Sequence, residues 1–246
     1  MKMQTIMVLN AKGGSGKTTL VTNIAGYYAA QEKVVVIKDY DPQGSATEWL
    51  ALRDYSFPRI HGLVAYKPVP QYTTRAWQMR LPENTDRVIV DTPAGVDLTR
   101  FAGMVKAVDK ILIPVSSSGI EVRATLAFIK KLKKFMGLYS CSAEIGVVAN
   151  RVDTNMACYH SMLDALEGLG MSCIASLSYS DSYLKSAEGG ESILELDHSM
   201  IAKDKFEWAP LINWLEDDVV MKPSVASEEC LSNSNAEERK LYVVAD

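Results

Sequence analysis

The chain has 246 residues, 48% of them apolar, which allows one large domain or two small ones with a sizeable core. A formal net charge of −4 excludes a polycation as a whole. Its four cysteines, Cys141, Cys158, Cys173 and Cys230, form no CxxC pair, which argues against a structural zinc site or a disulfide scaffold and suits a reducing cytoplasm.

The first ten residues, "MKMQTIMVLN", lead straight into a strand expected over 5–10. They carry no signal-peptide core, and no apolar run approaches the ~20 residues that span a bilayer. Further strands are expected at 34–39, 87–91, 110–115 and 144–150, with weaker ones at 62–66 and 171–176. The strong runs are continuous and rich in Val and Ile, as strands covered on both faces are. Helices are expected between them, at 17–31, 43–53, 72–80, 97–107, 119–136 and 155–168, with a last one at 199–215. The alternation predicts an α/β fold: a mostly parallel, twisted sheet with helices on both faces. Residues 1–215 form the domain. Residues 216–246 hold eight acids and three bases with many serines, and read as an acidic, flexible tail.

Between the first strand and the first helix lies "NAKGGSGKTTL". A Gly-rich turn between strand and helix is the setting of a phosphate loop. The backbone N–H groups of Gly13, Gly14, Ser15, Gly16, Lys17, Thr18 and Thr19 would face phosphate oxygens, helped by the helix dipole. Lys17 is expected on the β- and γ-phosphates of ATP, and the Thr18 hydroxyl on Mg²⁺. The usual GxxxxGK[ST] pattern has glycine where this chain has Ala11. The loop fits the variant K-G-G-x-G-K-T, with a second lysine, Lys12, in front.

Acids follow at the ends of later strands. "KDYDPQGSATEWL" places Asp39 and Asp41 two residues apart after the second strand, where ligands gather in open α/β sheets. "RVIVDTPAG" is an apolar strand ending in Asp91, the arrangement that reaches a magnesium ion beside a phosphate loop. "VVANRV" ends a further strand at Asn150.

Together "KGGSGKTT", "DYDPQG" and "DTPAG" resemble the ParA/MinD family of deviant Walker A P-loop ATPases. The resemblance covers about residues 3–215, and "YLKSAEGGESILELD" (183–197) is similar to small, ParF-like members. It implies an ATP-dependent homodimer in which Lys12 crosses to the partner's nucleotide; an ammonium held at a dry site needs such an anion. It also implies Asp39 in the Mg²⁺ shell, Asp41 orienting the attacking water, and Asn150 reading the adenine edge. Hydrolysis would be slow until a ParB-like or cargo-adaptor protein stimulates it. ParA-type relatives bind DNA nonspecifically over the nucleoid, whereas MinD-type relatives bind membrane through a C-terminal amphipathic helix.

An acidic tail disfavours anionic lipid, so membrane is the lesser alternative. For DNA, "KKLKK" on the helix at 119–136 offers Lys130, Lys131, Lys133 and Lys134, together with Arg123. Arg151, Lys185, Lys203 and Lys205 are further candidates. The expected apolar face of that helix is Val122, Leu126, Ile129, Leu132 and Phe135. A metabolic P-loop ligase or kinase, such as dethiobiotin synthetase, is the other alternative.

Overall fold

The computed structural model describes residues 3–69, 71–196 and 201–217. Seven strands form one sheet: β1 (Gln4–Val8), β2 (Val35–Asp39), β3 (Ile60–Val64), β4 (Arg87–Asp91), β5 (Lys110–Val115), β6 (Glu144–Asn150) and β7 (Cys173–Leu177). Their order is β3-β2-β4-β1-β5-β6-β7, and every pairing is parallel. The central strands are buried along their length, β4 and β5 at every residue, which is why their sequences run apolar without alternation.

Parallel strands need crossovers, and helices supply them. They are α1 (Lys17–Ala30), α2 (Ser45–Leu52), α3 (Arg75–Gln78), α4 (Ala102–Ala107), α5 (Gly119–Leu138), α6 (Ala157–Glu167), α7 (Ser182–Glu188) and α8 (Ala202–Glu216), with a 3₁₀ turn at Ile193–Glu195. Each face of the sheet has its own core. One gathers Leu20, Ile24 and Tyr28 of α1, Trp49 of α2, and Trp208 and Leu211 of α8. The other gathers Val105 of α4, Phe128, Ile129 and Leu132 of α5, and Met162 and Leu166 of α6. Each fully buried Leu, Ile or Phe contributes about 1.5–3 kcal/mol, so both layers are held mainly by apolar burial.

The expected and observed elements differ in a few places. Helix α4 starts at Ala102 rather than 97. The Asp97 carboxylate accepts from the Thr99 N–H (2.9 Å) and hydroxyl (2.6 Å), a local turn that competes with helix. Helix α3 shrinks to Arg75–Gln78, capped by Thr74, whose hydroxyl accepts from the Trp77 N–H at 3.2 Å. Helix α7 and the 3₁₀ turn were not expected. Glu216, assigned to the tail, closes α8 and pairs with Arg87 at 3.5 Å. The rest of the acidic tail, from residue 218 on, lies outside the described residues.

The segment 189–195 is clamped to α1 and α2. Arg53, just past α2, forms a two-pronged pair with Glu195 at 2.5 and 2.8 Å, both side chains 5% exposed. Gly190 makes this approach: its φ is +67°, and a Cβ there would lie 2.4 Å from the Arg53 nitrogen. Ser192 and Ile193 are tied to the Asn23 side chain of α1 at 3.2 and 2.6 Å. The "GGES" run is therefore a fastening of the fold.

Candidate functional site

The carboxyl ends of β1, β2, β4 and β6 converge on an open cleft of about 570 Å³. It is lined by Gly13, Gly14 and Gly16–Thr19 of the β1–α1 loop, Asp41–Gln43 and Ser45 after β2, Pro93 and Ala94 after β4, and Arg151 after β6. This is where ligands collect in an open parallel sheet.

The β1–α1 loop is built for an anion. Helix α1 begins after Gly16, which has no side chain to cap it, and its first turn holds no acid. The amide groups that a capping residue would occupy are left for a ligand. Gly16 has φ +95°, and a Cβ there would lie 2.0 Å from the Asn150 amide nitrogen, so only glycine fits. Asn150 is 4% exposed and donates to the Ser15 carbonyl at 2.9 Å. Asn150 thus braces the loop from behind and does not line the cleft. In the ligand-free chain one N–H of its amide is thus used on the loop backbone.

The two loop lysines part company. Lys17 is 6% exposed, and its Nζ donates to the Lys12 carbonyl at 3.2 Å. Burial holds its ammonium below the usual lysine range, opposed by the carboxylates of Asp91 and Asp41. Lys12 is exposed, does not line the cleft, and its ammonium has no partner among the described residues. The premise that Lys12 is dry fails for a single copy of the chain. Ser15 is buried and donates to the Lys12 carbonyl at 3.2 Å, stiffening the loop.

Three carboxylates take three different places. Asp91 is fully buried; its Oδ2 accepts from the Thr18 hydroxyl at 2.8 Å, while its Oδ1 has no partner. Burial pushes its pKa up to about 7, with Asp39 and Asp41 adding to the rise. A buried, unpartnered carboxylate oxygen beside a hydroxyl is a hard oxygen set that fits Mg²⁺. Asp41 lines the cleft, its Oδ1 accepting from the Gln43 N–H at 3.0 Å.

Asp39 is held by hydrogen bonds from the segment that follows it. Its Oδ1 accepts from the Asp41 N–H (3.0 Å), and its Oδ2 from the Thr47 N–H (3.0 Å) and hydroxyl (2.7 Å). It does not line the cleft. Asp39 is a clasp that sets the loop carrying Asp41 and the start of α2. Among the described residues no group of three or more His, Cys, Asp or Glu side chains is placed to hold a metal by itself. Mg²⁺ commonly takes only one or two carboxylates and fills its shell with phosphate and water.

The loop after β4 leans on the phosphate loop. Thr92 is buried and donates to the Val8 carbonyl at 2.7 Å, and the Gly95 N–H donates to the Ala11 carbonyl at 3.0 Å. Tyr66 packs against the loop after β2, its hydroxyl 2.7 Å from where a Cβ on Gly44 would be. Sequence reading missed Tyr66.

The DNA candidates are not one patch. Arg123, Lys130, Lys131, Lys133 and Lys134 are exposed on α5, which packs on one face of the sheet. Lys203 and Lys205 are on α8, which packs on the other face, and the exposed Lys185 is on α7. Lys133 is bound to the Leu169 carbonyl at 2.8 Å, and Lys203 pairs with Glu207 at 3.7 Å. Arg151 belongs to the cleft. Among the described residues no helix is long and apolar enough to cross a membrane.

Fold and cleft define a P-loop nucleotide-binding protein of the α/β class. The chain belongs to the CobQ/CobB/MinD/ParA nucleotide binding domain family, whose model matches residues 6–193. It is 30% identical over 135 residues to the maintenance of carboxysome distribution protein A of Gloeobacter kilaueensis, a match covering 51% of this chain and 55% of that protein. The protein of the same name from Halothiobacillus neapolitanus is 29% identical over 173 residues, covering 69% of this chain and 76% of its own. Among solved structures, the MinD cell division protein of Aquifex aeolicus superposes with a TM-score of 0.64 at 22% identity, covering 86% of this chain and 97% of that one. That likeness concerns the fold.

Proposed function

We propose that the chain is a ParA-type positioning ATPase: two copies close over two Mg²⁺–ATP, bind DNA nonspecifically in that state, and let go after hydrolysis. The observation that carries this reading is the opposite placement of two lysines in one loop. Lys17 is turned into its own loop, while Lys12 is exposed and unpartnered beside it. One ammonium suffices for the local phosphates, so the second is available to a partner copy's nucleotide.

The roles follow from the cleft. The N–H groups of Gly13–Thr19 and the Lys17 ammonium hold the phosphates. Thr18 and Asp91 would hold Mg²⁺, which neutralises phosphate charge as it is transferred. Asp41 orients the water, and Asp39 holds Asp41 in register. Phosphoryl transfer asks chiefly for such positioning. Basal turnover is slow in this reading. An activating partner bearing Arg or Lys accelerates it.

The DNA surface of this reading is the lysine face of α5, Lys130, Lys131 and Lys134 with Arg123, doubled when two copies pair. Doubling phosphate contacts steepens salt dependence and separates the DNA-bound from the free state. Relatives named for carboxysome distribution and chromosome partitioning support cargo positioning as the outcome. In the cell the chain would be cytoplasmic, and on the nucleoid when ATP-bound.

Size-exclusion chromatography with light scattering tests the core of the reading. With Mg²⁺–ATP, Asp41→Ala should elute as a dimer, and Asp41→Ala with Lys12→Ala as a monomer of unchanged nucleotide affinity. A dimer that persists without Lys12 refutes it. Fast turnover without DNA would instead favour a metabolic ligase or kinase, and ATP-dependent sedimentation with liposomes a membrane-recruited ATPase.

A further inference from the structure

We propose that Asn10 and Thr125 are positioning residues for the contact between two copies of the chain: they fix the backbone from which Lys12 reaches the partner's nucleotide. The proposal rests on the paired-copy reading of Lys12. Neither Asn10 nor Thr125 lines the cleft.

The anchor begins where β1 leaves the sheet. Strands β1 and β5 run parallel with Val8 beside Leu112, and the Leu9 N–H donates to the Leu112 carbonyl at 2.9 Å. In such a ladder the next acceptor on β5 lies two residues on, at Pro114. By that point the β1 backbone has turned off into the phosphate loop. The Asn10 side chain takes the vacated rung: its Nδ2 donates to the Pro114 carbonyl at 2.6 Å. The same nitrogen donates to the Thr125 hydroxyl of α5 at 3.2 Å, and Oδ1 accepts from the Lys12 N–H at 3.2 Å. Asn10 and Thr125 are each 1% exposed. A carboxamide buried this deeply, donating twice and accepting once, is held in one orientation. The bond to Lys12 alone would be an ordinary Asx turn. Here the amide that makes the turn is itself fixed by β5 and α5.

The rest of the backbone around Lys12 is held as well. Its carbonyl accepts from the Ser15 hydroxyl and the Lys17 ammonium, both at 3.2 Å, and the Ala11 carbonyl accepts from the Gly95 N–H at 3.0 Å. The Lys12 side chain is left exposed. A fixed backbone under a free cation suits a contact between molecules, because the loop is ordered before the partner arrives. Ser15 and Lys17 belong to the phosphate loop itself, whereas Pro114 and Thr125 do not. The Asn10 anchor can therefore be cut from the Thr125 side without touching a phosphate ligand.

Dimer formation is measured on the full chain carrying Asp41→Ala, with Mg²⁺–ATP, as a dissociation constant from light scattering over a concentration series. Adding Asn10→Ala should raise that constant at least about tenfold, and adding Thr125→Val about threefold. Thr125→Ser keeps the hydroxyl and should match the Asp41→Ala parent. Mg²⁺–ADP, which leaves the pair open in this reading, reports on the phosphate loop alone in calorimetry. All three variants should bind it within about twofold of the parent. A dimer constant unchanged in both Asn10→Ala and Thr125→Val overturns the proposal. So does an ADP affinity that falls in step with dimerisation, which would make the anchor a general support of the phosphate loop. Should Asn10→Ala not fold, the contrast between Thr125→Val and Thr125→Ser decides alone. A parent that stays monomeric with Mg²⁺–ATP would refute the paired-copy reading itself, and the proposal with it.

Discussion

Two buried charged regions of this molecule behave oppositely. At the clamp beneath α2, Arg53 and Glu195 saturate one another; Arg53 also donates to the Gly190 and Pro58 carbonyls, and Glu195 accepts from the Ser192 N–H. At the cleft, Asp91 keeps a buried oxygen without a partner, Lys17 is held below its usual pKa by burial, and the first turn of α1 has no cap. Burying charge is costly, and an incomplete set beside a phosphate loop fits a place that a ligand completes. The complete set fastens the chain, and the incomplete set marks the place of a ligand.

Breaking each region should therefore damage a different property. The largest effect is expected at the clamp. Arg53→Ala strands Glu195 in the interior and should cost ~3–5 kcal/mol in urea denaturation, while the molecules that remain folded still bind ATP. Replacing both partners, Arg53→Met with Glu195→Leu, should cost far less. A clamp variant that unfolds no more readily than the wild type would remove one side of the contrast.

At the cleft the order is reversed. Lys17→Ala should leave the melting temperature nearly unchanged but weaken Mg²⁺–ATP by at least about 100-fold, or ~2.7 kcal/mol, as read by calorimetry. Tight binding by this variant would contradict the loop assignment.

Asp91 offers a finer probe. Its folded pKa, about 7, lies above the ordinary carboxylate value near 4. Between those values the folded chain holds the proton and the unfolded chain does not. Stability of the ligand-free chain should therefore be highest at the acid end of that window and fall as pH rises toward 7. Asp91→Asn should flatten this dependence in chemical denaturation from pH 5 to 8; an unchanged slope would assign it to another group.

The smallest effect belongs to the surface. Lys203→Ala removes an exposed ammonium paired with Glu207 at 3.7 Å, leaves Glu207 its bond from the Ser178 N–H, and should change stability by less than ~0.5 kcal/mol.

Much of this contrast was legible before any coordinates. The phosphate loop, Asp41 and Asp91 sit at strand ends, and strands covered on both faces announce themselves as unbroken Val and Ile runs. What escaped were the partners of buried groups. Asp39 reads as an acid beside Asp41, and the hydrogen bonds that its oxygens accept from Asp41 and Thr47 do not show in the sequence. The bond from the Asn150 amide to Ser15 joins residues 135 positions apart in the chain. The Arg53–Glu195 clamp joins residues 142 apart, a pairing that no local pattern encodes. Helix α7, seven residues long, is too short for a 3.6-residue period to stand out.

The amino-acid order by itself determined the local things: apolar runs long enough to be strands, a Gly-rich turn free to curl around an anion, and two lysines in one loop. Such features depend on neighbours a few residues away. Only the tertiary structure decided direction: which lysine turns inward, which acid is already occupied, which basic residues share a face, and that Arg151 belongs to the cleft. Direction depends on elements packed together from distant parts of the chain, because a side chain's partners in a parallel sheet come from strands that are neighbours in space and not in sequence.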